Sequence, residues 1–117
     1  MPRYLSMVRI EESAIPEGGP SPELMQRMGA LLEEITKAGA MLDTAGLTPT
    51  SDGVRVSRRD GKTTVTDGPF TETKEVIGGY ALLQAKDKEE AVYWAQRFVD
   101  VHEDEMPVTL EVRQIAE

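Results

Sequence analysis

Apolar residues recur along the chain with two periods, one of two residues and one near 3.6, and these periods mark out six extended segments and two helices. Tyr4 to Ile10 is short and rich in apolar and β-branched residues, which predicts a strand with Tyr4, Val8 and Ile10 on one side and Leu5 and Met7 on the other. After a loop from Glu11 to Pro20, broken by Pro16, Gly18 and Gly19, the positions Leu24, Met28, Leu31 and Ile35 recur at helical spacing, widened by Met25 and Leu32. Ser21 precedes them as an N-cap, Pro22 suits the first turn, Glu23 suits the helix dipole, and Gly39 supplies the stop. Met41 to Leu47 reads as a short strand. Val54 to Arg58 and Lys62 to Thr66 alternate by twos around Asp60-Gly61, a dipeptide suited to tight hairpin turns. Val76 to Ala85 reads as a longer strand, with Gly78 and Gly79 marking a bulge or a close neighbouring backbone. Asp87 and Glu90 resemble a capping box ahead of a second helix, with Ala91, Val92, Ala95, Phe98 and Val99 on one face. Val108 to Ile115 closes the chain as a strand whose Val108, Leu110 and Val112 face one way and whose Thr109, Glu111 and Arg113 face the other.

The order strand, helix, strand with an added hairpin, strand, helix, strand predicts an α+β fold, a ferredoxin-like split βαβ arrangement over residues 1–117. Right-handed crossovers place both helices on one face of the sheet. The other face is bare yet partly apolar, and the cheapest cover for it is a second copy of the chain, packed sheet on sheet about a two-fold axis. The sequence therefore predicts a homodimer.

Composition narrows the functional classes. The formal charge of -8 argues against direct nucleic-acid binding, because a polyanion is repelled unless a local basic patch overcomes the field. Arg55, Arg58, Arg59 and Lys62, interrupted by Asp60, form the one such cluster, and it reads as a solvated hairpin. With no cysteine, disulfides, thiolate metal sites and thiol nucleophiles are excluded. No stretch resembles a signal peptide or a membrane span, so a cytoplasmic protein without membrane attachment is expected. No phosphate-cradling glycine loop, zinc pattern or serine nucleophile motif is present, and neither a metal nor a cofactor is expected.

The run DGPFTETKEVIGGYALL from Asp67 to Leu83, with RVSRRDGKTTVT before it and VTLEVRQI at the end, resembles the YCII-related family, in particular its branch named for the Asp-Gly-Pro-Phe motif. The resemblance covers nearly the whole chain and implies a dimeric α+β barrel. For some members it implies an acid-base pair of histidine and aspartate, with the histidine on the first helix; here that helix carries none. By gene association, some members resemble partners of extracytoplasmic-function sigma factors.

The motif itself admits two readings. Pro69 fixes its own φ and turns Gly68 away from helical geometry, while Asp67 can accept hydrogen bonds from the amides after it. Such a stiff loop would present Glu72, Lys74 and Glu75 together at the mouth of a polar pocket between two sheets. Asp67 then orients the loop, Glu72 or Glu75 serves as acid or base tuned by Lys74, and Tyr80, Arg113 and Ser6 bind the small molecule, Arg113 steadying an anionic group. Ser6 is expected to lie among Thr109, Glu111 and Arg113. In the other reading Asp67 caps a turn, Phe70 plugs the core, and the three charges are a solvated cluster. His102, within DVHEDE, could hold a metal or act as a base but is read as part of a charged helix end exposed to water. Met25, Met28 and Met41 read as adaptable core. Tyr93 and Trp94 form a partly covered edge, the candidate apolar patch if the chain is instead a regulatory or interaction module.

Overall fold

A computed structural model describes residues 1–117. Eight principal elements follow in chain order: β1 (Arg3–Ile10), α1 (Pro22–Lys37), β2 (Met41–Gly46), β3 (Val54–Arg59), β4 (Lys62–Asp67), β5 (Val76–Gln84), α2 (Lys88–Val101) and β6 (Val108–Gln114), with 3-10 turns at Glu12–Ala14 and Thr50–Asp52. The caps are those the sequence predicts. The Ser21 hydroxyl accepts from the Leu24 N–H, the Asp87 carboxylate accepts from the Glu90 N–H, and α1 stops at Lys37 with Ala38 as its cap, just ahead of Gly39, whose φ of 76° suits a residue without Cβ.

Four strands form one sheet in the order β2-β5-β1-β6, every neighbour antiparallel. This is the ferredoxin-like α+β fold. The register settles which residues share a face: Tyr4 lies opposite Leu83, Ser6 opposite Ala81 and Val112, and Val8 opposite Leu110 and Gly79. These lie beneath the helices, where Leu31, Ile35, Ala40, Leu83 and Trp94 form one buried cluster and Tyr4, Ala85 and Ala91 a second. The face of α2 turned to the sheet is Ala91, Trp94 and Ala95 with Phe98 beside them, while Val92 is exposed, so the expected stripe is kept at Ala91, Ala95 and Phe98 and turned toward Trp94. Trp94 carries enough apolar area to pull it inward.

The opposite face of the sheet has no helix. Leu5 opposite Leu82, Met7 opposite Tyr80 and Arg9 opposite Ile77 stand there, with Thr109, Glu111 and Arg113 beside them. A bulge between Val8 and Arg9, at Gly78, adjusts the register of β1 against β5.

The added hairpin does not join this sheet. β3 and β4 pair only with each other, around Asp60 and Gly61 with φ of 54° and 76°, the left-handed geometry a two-residue hairpin turn needs. The pair projects as an arm. It makes the molecule flat and wide, 46 × 40 × 17 Å, with a radius of gyration of 15.9 Å, against about 13 Å for a compact chain of this length. No helix is long and apolar enough to cross a membrane.

Candidate functional site

The fold places a cavity of about 400 Å³ between the helices and the covered face of the sheet. Its roof is Met28, Leu32 and Ile35 from α1 with Trp94, Ala95 and Phe98 from α2, and Met25 and Pro20 stand at its edge. Its floor is Ser6 and Val8 of β1, Ala81 and Leu83 of β5, Leu110 of β6, and a patch of bare backbone at Gly46, Gly78 and Gly79. No charged side chain lines it. Met25, Met28 and Met41 all do, so the residues read as adaptable core are adaptable wall.

Ser6 and Trp94 decide what this cavity can do. Ser6 is 1% exposed and Trp94 9%, and their Oγ and Nε1 are the two buried side-chain polar atoms of the protein with no hydrogen-bond partner. Leaving a buried polar group unpaired costs roughly 1–3 kcal/mol, and both residues stand in the wall of the cavity. An indole N–H can only donate, and a hydroxyl can donate or accept, so an acceptor suits either.

Of the site residues expected from the sequence, Ser6 and Tyr80 border this cavity, Tyr80 from a register position on the bare face, while the others lie elsewhere and do not converge. Ser6 is not among Thr109, Glu111 and Arg113; the register turns it to the other face, opposite Val112, under the helices. Tyr80 and Arg113 lie on the bare face. There the Tyr80 hydroxyl donates to Asp43 at 2.9 Å, an interaction that raises the phenol above its usual range. Arg9 stands between Glu75 at 3.2 Å and Glu111 at 3.4 Å, and Arg113 reaches Glu111 at 3.4 Å. Lys74 is exposed, 3.7 Å from Glu11, and Glu72 pairs with Arg55 on the arm. Glu72, Lys74 and Glu75 thus each find a different partner outside their own loop.

The Asp-Gly-Pro-Phe motif has a structural task that neither reading foresaw in full. Asp67 ends β4 and its carboxylate takes no hydrogen bond; the loop is held by Thr50. The Phe70 N–H donates to the Thr50 hydroxyl at 3.2 Å, and the Thr50 N–H and hydroxyl donate to the Glu12 carboxylate at 2.8 and 2.5 Å. Both of these donors hold Glu12 below the usual carboxylate range, the hydroxyl foremost. Gly68 donates to the Gly53 carbonyl at 2.9 Å across a cis peptide to Pro69, and a Cβ at Gly68 would come within 1.7 Å of the Thr50 carbonyl oxygen. Only glycine fits there. Phe70 is half-buried, not a core plug; the Arg55 guanidinium stacks 3.9 Å from its ring centroid. Glu72 is held low by its own backbone N–H first and by Arg55 second. The motif is therefore the clasp that fixes the arm to the body.

Two further expectations are corrected. His102 is 5% exposed, caps the C-terminus of α2 with Nδ1 2.8 Å from the Phe98 carbonyl, and packs on the Phe98 ring. The carboxylates around it, Asp100, Glu103 and Asp104, take the water and leave the imidazole inside. Trp94 is buried, so it forms no surface patch with Tyr93, whose hydroxyl accepts from Arg97. Asp43, Arg9, Glu12 and Thr50 escaped the sequence reading; each acts through a partner distant in the chain.

A family model described as a YCII-related domain matches residues 3–110. An uncharacterised protein of Rhizobium meliloti (strain 1021) is 33% identical over 73 residues, 62% of this chain and 59% of that protein, so the chain spans less than two thirds of its length.

Proposed function

Because the chain belongs to the YCII-related family, whose match runs from the first strand into the last, we propose a role that the ferredoxin-like body can house: binding a small molecule in the cavity between its helices and sheet. One observation carries this reading. A cavity of about 400 Å³, within the usual range for ligand sites, has no charged lining and includes both unpartnered buried polar groups of the protein. The ligand is uncharged, because nothing in the wall would compensate an ion. It has an apolar body that the methionines can follow, and an acceptor such as a carbonyl oxygen for Ser6 and Trp94. The fold draws no pair of carboxylates or imidazoles into this cavity, so the role proposed is binding rather than acid-base catalysis.

We further infer that the chain works as a homodimer, its bare sheet face covered by a second copy. Leu5, Met7 and Leu82, half-buried, and the exposed Ile77 need such cover. The charges on that face already have partners in Arg9 with Glu75 and Glu111, and Tyr80 with Asp43, so enclosing them strands none. The polar chamber expected beside Tyr80 and Arg113 would form there. The interaction-module reading, with a sigma-factor-linked partner, keeps the exposed Tyr93 but not the buried Trp94, beside the exposed valines of the arm.

Trp94 is the one tryptophan in the chain and makes the cavity testable. Titration with a panel of uncharged aryl ketones and quinones should change its fluorescence saturably. At a hundredfold excess over Kd, binding should stabilise the fold by about 2.7 kcal/mol, visible as a melting shift of several degrees. Ser6→Ala should weaken the same ligands. If no member of the panel moves either signal while carboxylates or phosphates do, the proposal fails.

A further inference from the structure

We propose that residues 13–20, between β1 and α1, are a strap that gates the cavity and is latched shut by the carboxylate of Glu105; the inference rests on the binding reading above, whose site the strap controls. Exposure places the mouth. Of the residues lining the cavity, Pro20, Met25, Thr44, Ala45 and Gly46 are exposed, and all the others are buried or half-buried. The opening therefore lies between the start of α1 and the outer end of β2. One of these lips is fixed and the other is not. β2 is bonded along β5, with Gly46 opposite Gly79 and the Leu47 N–H donating to the Gly78 carbonyl at 2.9 Å. Pro20 hangs instead from Gly18 and Gly19, whose φ of 84° and 87° suit glycine and where an added Cβ would meet nothing within 4 Å. The backbone hydrogen bonds of the strap, from Ala14 to Glu11, Ile15 to Glu12 and Gly19 to Pro16, stay local, so none ties it to the sheet or to a helix.

A carboxylate holds the strap at each end. At the end away from the cavity, Glu12 accepts from the N–H and the hydroxyl of Thr50 at 2.8 and 2.5 Å. At the cavity end the two donors belong to Ser21, next to Pro20, and the acceptor is Glu105, just past α2, again at 2.8 and 2.5 Å. The Ser21 hydroxyl foremost, and then its N–H, hold Glu105 below the usual carboxylate range, so the carboxylate is ionised near neutrality and both bonds are charge-assisted. Arg27 adds a second tie further along α1, its Nε donating to the Val101 carbonyl at 2.9 Å and its Nη2 lying 3.3 Å from Glu103. Pro20 and the first turn of α1, which carries Met25, can lift from the mouth only when Ser21 leaves Glu105. Ser21 caps α1 through the Leu24 N–H, a bond within its own turn, so the lip can lift without unwinding the helix.

The test reads Trp94 in the full chain in two ways: quenching by acrylamide, a small uncharged quencher that needs no binding site, and stopped-flow mixing with menadione, an uncharged quinone. Glu105→Gln keeps the size of the side chain and leaves one acceptor atom where there were two; Glu12→Gln makes the same change at the other end of the strap. Both variants should keep the circular dichroism of the wild type. Glu105→Gln should raise the acrylamide quenching constant about fivefold and speed menadione entry and exit by a similar factor with Kd unchanged, whereas Glu12→Gln should leave all three as they are. Equal quenching in the wild type and Glu105→Gln overturns the gate while leaving the binding reading. Quenching that rises equally in Glu12→Gln is general loosening and overturns it too, as does an effect of Glu105→Gln on menadione exit alone, the mark of a lost contact rather than a door. Quenching raised as expected in a chain that menadione does not bind removes the binding reading and leaves the gate.

Discussion

In the body, β1 and β5 alternate apolar and polar residues, and two helices receive one of the resulting faces; in the arm, β3 and β4 alternate as regularly, and nothing in the chain receives theirs. Leu83 and Val65 make the contrast concrete. Both are aliphatic residues on the apolar side of a strand, but Leu83 is 3% exposed under Ile35 and Trp94, whereas Val65 stands in solvent. Strand alternation thus states that a face will be covered without stating by what. In the body the cover is helices of the same chain; the arm finds none within the chain.

Three substitutions probe this contrast. Leu83→Ala should cost about 2–5 kcal/mol in a denaturant melt, because it opens a hole in a packed cluster. Val65→Ala, measured below the concentration at which chains pair, should cost no more than about 0.5 kcal/mol, as expected at an exposed position; a comparable loss would mean that the arm is covered within its own chain. Gly68→Ala comes next. Its Cβ cannot coexist with the Thr50 carbonyl, so the clasp must open, at a cost on the order of 2–3 kcal/mol. Hydrogen exchange should show the arm's amides losing protection while those of β1 and β5 keep theirs. If the sheet loosens equally, arm and body form one cooperative unit. The smallest effect is acid loosening of the clasp. Thr50 lowers the pKa of Glu12 in the folded state, so its contribution is fully present above the ordinary carboxylate range and is lost as the pH falls through the lowered value. The melting midpoint should be flat near neutrality and fall in acid, and Glu12→Gln should flatten part of that fall. A slope unchanged by the substitution would assign the acid sensitivity to Glu72 or Glu105, which are likewise held low.

What could be read from the chain was what neighbours within a few residues determine. Ser21, Pro22 and Gly39 delimit α1, Asp87 caps α2, and Asp60-Gly61 turns the hairpin, each by local chemistry. The order of elements then left little choice of topology. For Ser6 strand parity is sufficient: it shares its side with Tyr4 and Val8, and that alone places it under the helices. His102 is a different case, because four carboxylates nearby mark the segment as wet and only the wind of the last helical turn tucks the imidazole onto Phe98. The clasp lay beyond reach of local reasoning. Glu12, Thr50 and Phe70 come from three separate loops, and neither propensity nor periodicity links them. The cavity was hidden for a related reason: methionine, tryptophan and leucine at helical spacing look the same whether they close on one another or around a space.

The glycines under that space set a gauge. A Cβ built at Gly79 would come within 2.9 Å of the Ala45 carbonyl oxygen, so the position tolerates no enlargement, but one built at Gly46 meets nothing within 4 Å. Position 46 is therefore a dial for the bore of the chamber. Substituting alanine and then valine there would exclude guests in order of their girth while leaving Ser6 and Trp94 untouched.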